Sequence, residues 1–251
     1  MRRGRRTIGV WACAALGWCV AAPVAGQADE PTDAAVVEVE PSLDADGVTL
    51  AALTAPDYRT REQATRQLLT DDSRDLASLE RLWGRAASLE ARHRLLGVIR
   101  HRFLVEQAEA MFPAGGRGAI GVSHRTLGEI TGPLTGAQVV TTLPGFPGHA
   151  FLRAGDVITA VEGRPLRAGE GVEVLSERVQ QLEQGEDVRL TVWRGGNSRE
   201  VTFRLGSMNA LVAMYAGQAL GEPFASRLAA LERALWAAVE DDAGPDAPSP
   251  N

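Results

Sequence analysis

Residues 152–166 read LRAGDVITAVEGRPL, from Leu152 to Leu166. Val157–Val161 is a short run of mostly β-branched residues between the turn signals Gly155-Asp156 and Glu162-Gly163, and such a run reads as a strand. Glu162-Gly163 is a tight turn that sends Arg164-Pro165-Leu166 back along it. Toward the C-terminus, Leu175, Val179 and Leu182 are spaced as the apolar stripe of one helix. Val188–Trp193 and Glu200–Leu205 follow as two strands, with Gly195-Gly196-Asn197-Ser198 as the hairpin turn between them. Toward the N-terminus, Ala137–Val140 is a further strand. The spacing therefore predicts an α+β unit over 115–206.

Four stretches stand in a fixed order in this block: Arg117-Gly118-Ala119-Ile120-Gly121-Val122; Pro144-Gly145-Phe146-Pro147 leading to Leu152–Ile158; Val161–Leu166; and Leu175–Val192. Together they make the block resemble a bacterial PDZ domain of the HtrA-type protease kind, over roughly 90 of the 251 residues. Phe151 departs from the pattern, which has glycine before this leucine. The resemblance implies a PDZ-type small β-barrel with capping helices. It also implies a groove that takes an extended peptide as an added strand.

On that resemblance, Ala119, Ile120, Gly121 and Val122 stand where the family binds a C-terminal carboxylate with successive backbone N–H groups. Val122, Ser123, His124 and Arg125 form the strand that pairs with the ligand. Ile120, Val122, Leu175 and Val179 line the pocket for its last residue, so an apolar C-terminal residue is expected. Read from the residues alone, Ile120 and Val122 also fit ordinary core of a β-barrel, and His124 fits a partly exposed strand position. Asn251 is polar and a poor ligand for such a pocket.

The flanking segments are helical. In 48–112, Asp57 is placed to cap a helix carrying Tyr58, Arg61, Ala64 and Leu68. Ser73 is placed to cap a second, with Leu76, Leu79 and Trp83, and a third runs from Ser88 to Ala110. Arg61, Ala64 and Leu68 recur 31 positions later as Arg92, Leu95 and Ile99, and DYRTREQATRQLL looks like the first helix of a HEAT-like repeat. In 207–240, two helical stretches are expected on either side of Gly221-Glu222-Pro223. The stripe Phe224, Leu228, Leu231, Leu235 and Val239 packs on the N-terminal helices or, in an oligomer, on a second copy through 224–239. Residues 29–47 and 241–251 are rich in acids, proline and alanine without aromatics, and read as a disordered linker and tail.

Residues 1–28 begin with four arginines, continue with an apolar run and end in small residues, the order of a signal peptide. If the leader is cleaved, four arginines and no acid are lost, and the net charge goes from −6 to −10. If uncleaved, Thr7–Ala25 is long enough to anchor the chain in a membrane. The expected location is outside the cytoplasm, in the periplasm or cell envelope.

All 26 cations are arginine, none is lysine, and no basic block follows the leader, which argues against nucleic acid. Cys13 and Cys19 both lie in the leader, so no disulfide, CxxC pair or cysteine nucleophile is available beyond it. His93 and His101 share a helix without a third ligand, so no metal is expected, and His149 has no evident partner. No phosphate-binding glycine loop is present. A serine protease needs a separate catalytic domain, and 29–114 is too short and helical for one. The sequence therefore points to a non-enzymatic adaptor, without cofactor, that binds extended peptides or protein C-termini. The alternatives are a structural scaffold with an unused or self-filled groove, and a non-cutting regulator of an envelope protease.

Overall fold

The computed structural model describes residues 44–127, 135–167, 171–216 and 218–242. The leader, most of the 29–47 linker and the end of the tail lie outside the described residues.

The N-terminal helices are α1 (Ala45–Leu53), α2 (Tyr58–Thr70), α3 (Leu76–Arg85) and α4 (Leu89–Met111). They form two helix pairs, and the offset of 31 is built into their caps. Asp44 and Asp75 accept from the N–H groups of Gly47 and Ser78 at 2.6 and 2.8 Å. Asp57 and Ser88 accept from Thr60 and Ala91 at 2.8 and 3.1 Å. Each satisfies a donor that a helix start leaves unpaired. The two arginines of the echo do the same work. Arg61 donates to Ala55 O at 2.7 Å and Arg92 to Ala86 O at 2.8 Å, each tying down the loop before its own helix.

Two expectations change here. The cap of α3 is Asp75, not Ser73, whose N–H donates instead to Asp71 Oδ1. The first helix starts at Ala45, inside the expected linker, because Asp44 caps it and Asp46 ties it to Arg74 at 2.8 Å and Arg85 at 2.9 Å.

The sheet follows. Its strands are β1 (Gly118–Ala119), β2 (Val122–Leu127), β3 (Gly136–Thr142), β4 (Val157–Val161), β5 (Arg164–Pro165), β6 (Asp187–Arg194), β7 (Asn197–Arg204) and β8 (Gly206–Ser207). α5 (Pro147–Phe151) enters between β3 and β4, and α6 (Gly171–Gln180) between β5 and β6. The main sheet runs β2-β3-β4-β6-β7 with β5 on β4, while β1 pairs with β8. Among the described strands this sheet is open, with β2 and β7 as its edges. Ile158, Val161, Val188, Leu190 and Val192 alternate onto one buried face and meet Leu175 and Val179 of α6. Phe151, the departure from the resemblance, stacks on Phe203 with ring centroids 5.2 Å apart.

After β8 come α7 (Met208–Leu211), a π-helical turn (Val212–Ala216) and α8 (Gln218–Asp242). The helix continues through Gly221-Glu222-Pro223, so the expected split falls earlier, at the π turn. Ala213 is buried there against Leu104 and Phe224, and Tyr215 Oη donates to Pro144 O at 2.7 Å, which ties that turn to the segment after β3. Leu235, Leu231 and Trp236 pack into the α1–α4 core, and the Trp236 ring meets Trp83 edge-on at 5.1 Å.

Candidate functional site

The site is built on the loop between β1 and β2 and on the edge strand that follows. β2 pairs with β3, Val122 opposite Thr142 and His124 opposite Val139, and its other edge has no strand partner among the described residues. Val139 donates to Asp156 O and accepts from Gly155, both on the β4 side. In an antiparallel ladder, that places His124 in a non-hydrogen-bonded pair and turns its own N–H and C=O away from β3. Val122 has the same orientation, since the Leu143 N–H donates to Gly121 O at 2.9 Å. The open edge thus presents main-chain groups of Val122 and His124.

The loop aims further donors the same way. A trans peptide unit is planar, and its C=O and N–H point in opposite directions. Gly148 N–H donates to Ile120 O at 2.8 Å, which fixes the Gly121 N–H pointing away from α5. The Leu143 bond to Gly121 O does the same for the Val122 N–H. Ile120 and Gly121 are both buried, and among the described residues neither N–H meets an acceptor. A carboxylate at the mouth of this loop would satisfy them.

Gly121 is required twice over. Its φ is +75°, a region that disfavours side chains, and a Cβ there would run into the Cβ of Phe146.

α6 forms the other wall. Ile120, Leu175 and Val179 are brought together, at 5%, 2% and 4% exposure, within one core that Val122 borders. Their side chains close the space between α6 and β2 as part of that core. The slot is also spanned twice: Ser176 Oγ lies 3.5 Å from His124 Nε2, and the Val172 N–H donates to Thr126 Oγ1 at 3.2 Å. Of the remaining expected site residues, Ala119 is buried in β1 and Ser123 is exposed on the face of β2 opposite His124. Arg125 lies beside them and donates to Gln138 Oε1 at 2.8 Å.

The sequence offered no partner for His149, and the fold supplies two. Thr142 Oγ1 is 3.0 Å from its Nδ1, and its ring stacks on His101 with centroids 5.2 Å apart. His101 Nδ1 accepts from the Gly145 N–H at 3.0 Å. Burial first, then the neighbouring His149, pushes the His101 imidazole down to about 3, and burial lowers His149 as well. Among the described residues no cluster of three or more His, Cys, Asp or Glu side chains is arranged to hold a metal ion.

No family model matches the chain. Two curated proteins match part of it, each named a probable periplasmic serine endoprotease, DegP-like. The one from Rhizobium meliloti is 36% identical over 74 residues, and the one from Bartonella henselae 34% over 73. Part of this chain is therefore similar to HtrA/DegP-type proteases. Each match spans 29% of this chain and only 14% of the relative. Two solved structures of the HtrA-type protease AlgW with a decapeptide overlay with TM-scores of 0.33 and 0.32, at 21% and 20% identity. They cover 42% of this chain and 33% and 34% of theirs.

Proposed function

We propose that this chain is an exported, non-catalytic adaptor whose 115–206 block is a PDZ domain, and that it takes an extended peptide by its C-terminus as an added strand on β2. The observation that carries this reading is the set of N–H groups on Ile120, Gly121 and Val122, two of them held in place from behind and pointing at the open edge. A terminal carboxylate accepts from such donors with charge-assisted strength. Val122 and His124 then supply main-chain pairing, the mode in which alternate ligand side chains fall into pockets.

The last ligand side chain enters between Val122, Ile120, Leu175 and Val179, so it is apolar, and the core must part to admit it. Its burial contributes about 1.5–3 kcal/mol, from which ordering costs are subtracted. The binding is weak and reversible. The periplasmic relatives and the arginine-led leader support a location in the periplasm or envelope, where the clients are unfolded chains or protein termini near a protease.

The test is binding of a panel of labelled hexapeptides ending in Val, Leu, Ile or Phe, each as free acid and as amide. The free acids with apolar ends are expected to bind and the amides to bind far less. Equal binding of acid and amide sinks the carboxylate reading, and no binding at all sinks the adaptor.

A second reading is favoured by the two bridges from α6 to β2 and by the burial of Leu175 and Val179. In it the slot stays shut and the block is a structural scaffold. No peptide of the panel binds in that case.

A further inference from the structure

The segment Leu143–Gly148, between β3 and α5, stands behind the β1–β2 loop and sets its shape. Its two ends donate to Gly121 O and Ile120 O, and its Phe146 fills the place where Gly121 lacks a side chain. Phe146 has no exposed surface. It sits in a cluster with Ala108 of α4, Ala119 of β1 and Ala210 of α7. The segment is itself gripped from outside the sheet. On one side α4 accepts the Gly145 N–H on His101 Nδ1 at 3.0 Å. Gly145 approaches α4 so closely, at a φ of +85°, that a Cβ there would lie 2.7 Å from Leu104 Cβ. On the other side Tyr215 of the π turn donates to Pro144 O at 2.7 Å, and its ring lies 6.1 Å from that of Phe146.

We infer that His101 and Tyr215, from the two helical blocks, are positioning residues for the anion-binding N–H groups of Ile120, Gly121 and Val122. This rests on the peptide-binding reading above. The physical route is short. His101 and Tyr215 fix the main chain at Gly145 and Pro144. That fixes the donors Leu143 and Gly148, which fix the two peptide planes that aim Gly121 and Val122. An array of donors stabilises an anion only while it is held in place before the anion arrives. The helices on either side of the sheet are thus part of the binding site, although no helical residue outside α6 would touch the ligand.

The test uses the full chain and the tightest peptide from the panel, comparing the affinities of its free acid and its amide. His101→Leu removes the acceptor and leaves a side chain suited to the buried position. His101→Asn restores an acceptor at a similar position. Tyr215→Phe removes only the hydroxyl, at a residue 44% exposed. The acid-over-amide preference is expected to drop about tenfold in His101→Leu, to drop by a smaller factor in Tyr215→Phe, and to return to within about twofold in His101→Asn.

Thermal melting separates loss of fold from loss of aim, and if His101→Leu does not fold, Tyr215→Phe decides. Folded variants that keep the full acid preference overturn the inference while leaving the adaptor standing. A parallel fall in acid and amide binding also overturns it, since that is a general loss of structure. Failure of the wild-type chain to bind any peptide overturns both.

Discussion

Arg194 grips Asp156 with both prongs of its guanidinium, Nε to Oδ1 at 2.7 Å and Nη2 to Oδ2 at 2.6 Å, where Asp156 is only 2% exposed. The same carboxylate accepts from the Arg153 N–H at 2.8 Å, and Arg194 Nη2 also donates to Phe151 O at 3.0 Å. One ion pair thus fastens the start of β4, the end of β6 and the end of α5. Removing the arginine strands a buried charge, which typically costs about 3–5 kcal/mol. Arg194→Ala is expected to lose that much in urea denaturation, and Asp156→Asn added to it to recover part. A loss below about 1 kcal/mol is what a surface pair would give.

Gly121 is a poor probe of the groove on its own, because a larger residue there also pushes Phe146 out of place. Gly121→Ala is expected to destabilise the fold by at least about 1–3 kcal/mol from the backbone strain at positive φ, with the clash against Phe146 adding to it. Ser176 is the cleaner probe. It is part-buried on the wall of the slot, where its hydroxyl lies 3.5 Å from His124 Nε2. Ser176→Trp should abolish peptide binding at a stability cost of no more than about 1–3 kcal/mol, the range for adding bulk at a part-buried site. Peptide binding that survives it, measured by fluorescence anisotropy, places the ligand elsewhere.

The buried histidines set an acid limit. His101 is held neutral in the fold, with its ionisation pushed down to about 3, while in the unfolded chain it takes a proton near 6.5. The unfolded state therefore binds more protons throughout that interval. Stability is full above pH 6.5 and falls as the pH drops toward 3, with His149 acting in the same direction. Between pH 7 and 4.5 the loss from His101 is about 2–3 kcal/mol. Denaturant unfolding at the two pH values measures it. His101→Asn, which does not titrate, should show a visibly flatter profile, and an unchanged profile in that variant rules His101 out as the source.

The C-terminal helix completes the core of the two N-terminal helix pairs. Leu235 is 8% exposed among Leu95, Ile99 and Trp83. Leu235→Ala is expected to cost about 2–4 kcal/mol, the range for an aliphatic cavity. Trp236→Phe should alter the near-ultraviolet circular dichroism through loss of the Trp83 contact. A stability change near zero for Leu235→Ala would mean that α8 detaches freely in solution.

Sequence alone determined what depends on neighbours a few positions away. Asp57 and Ser88 as caps, the β6–β7 hairpin at Gly195-Gly196 and the stripe on α6 are patterns of strand or helix period, or single-turn chemistry, legible in a string of letters, and the echo from Arg61 to Arg92 is legible as the same local pattern written twice. The order of motifs around Gly121 and Leu152–Asp156 carried the likeness to HtrA-type proteases. The structure alone decided whatever joins distant segments. His149 beside His101, Trp236 against Trp83, Gly145 on α4 and Asp75 rather than Ser73 at the head of α3 depend on which faces meet. So does the hold that Leu143 and Gly148 exert on the loop ahead of β2. Packing selects one such meeting from many of similar local quality, because burial rewards apolar area of any origin and only the assembled shape reveals which hydrogen bonds can be completed.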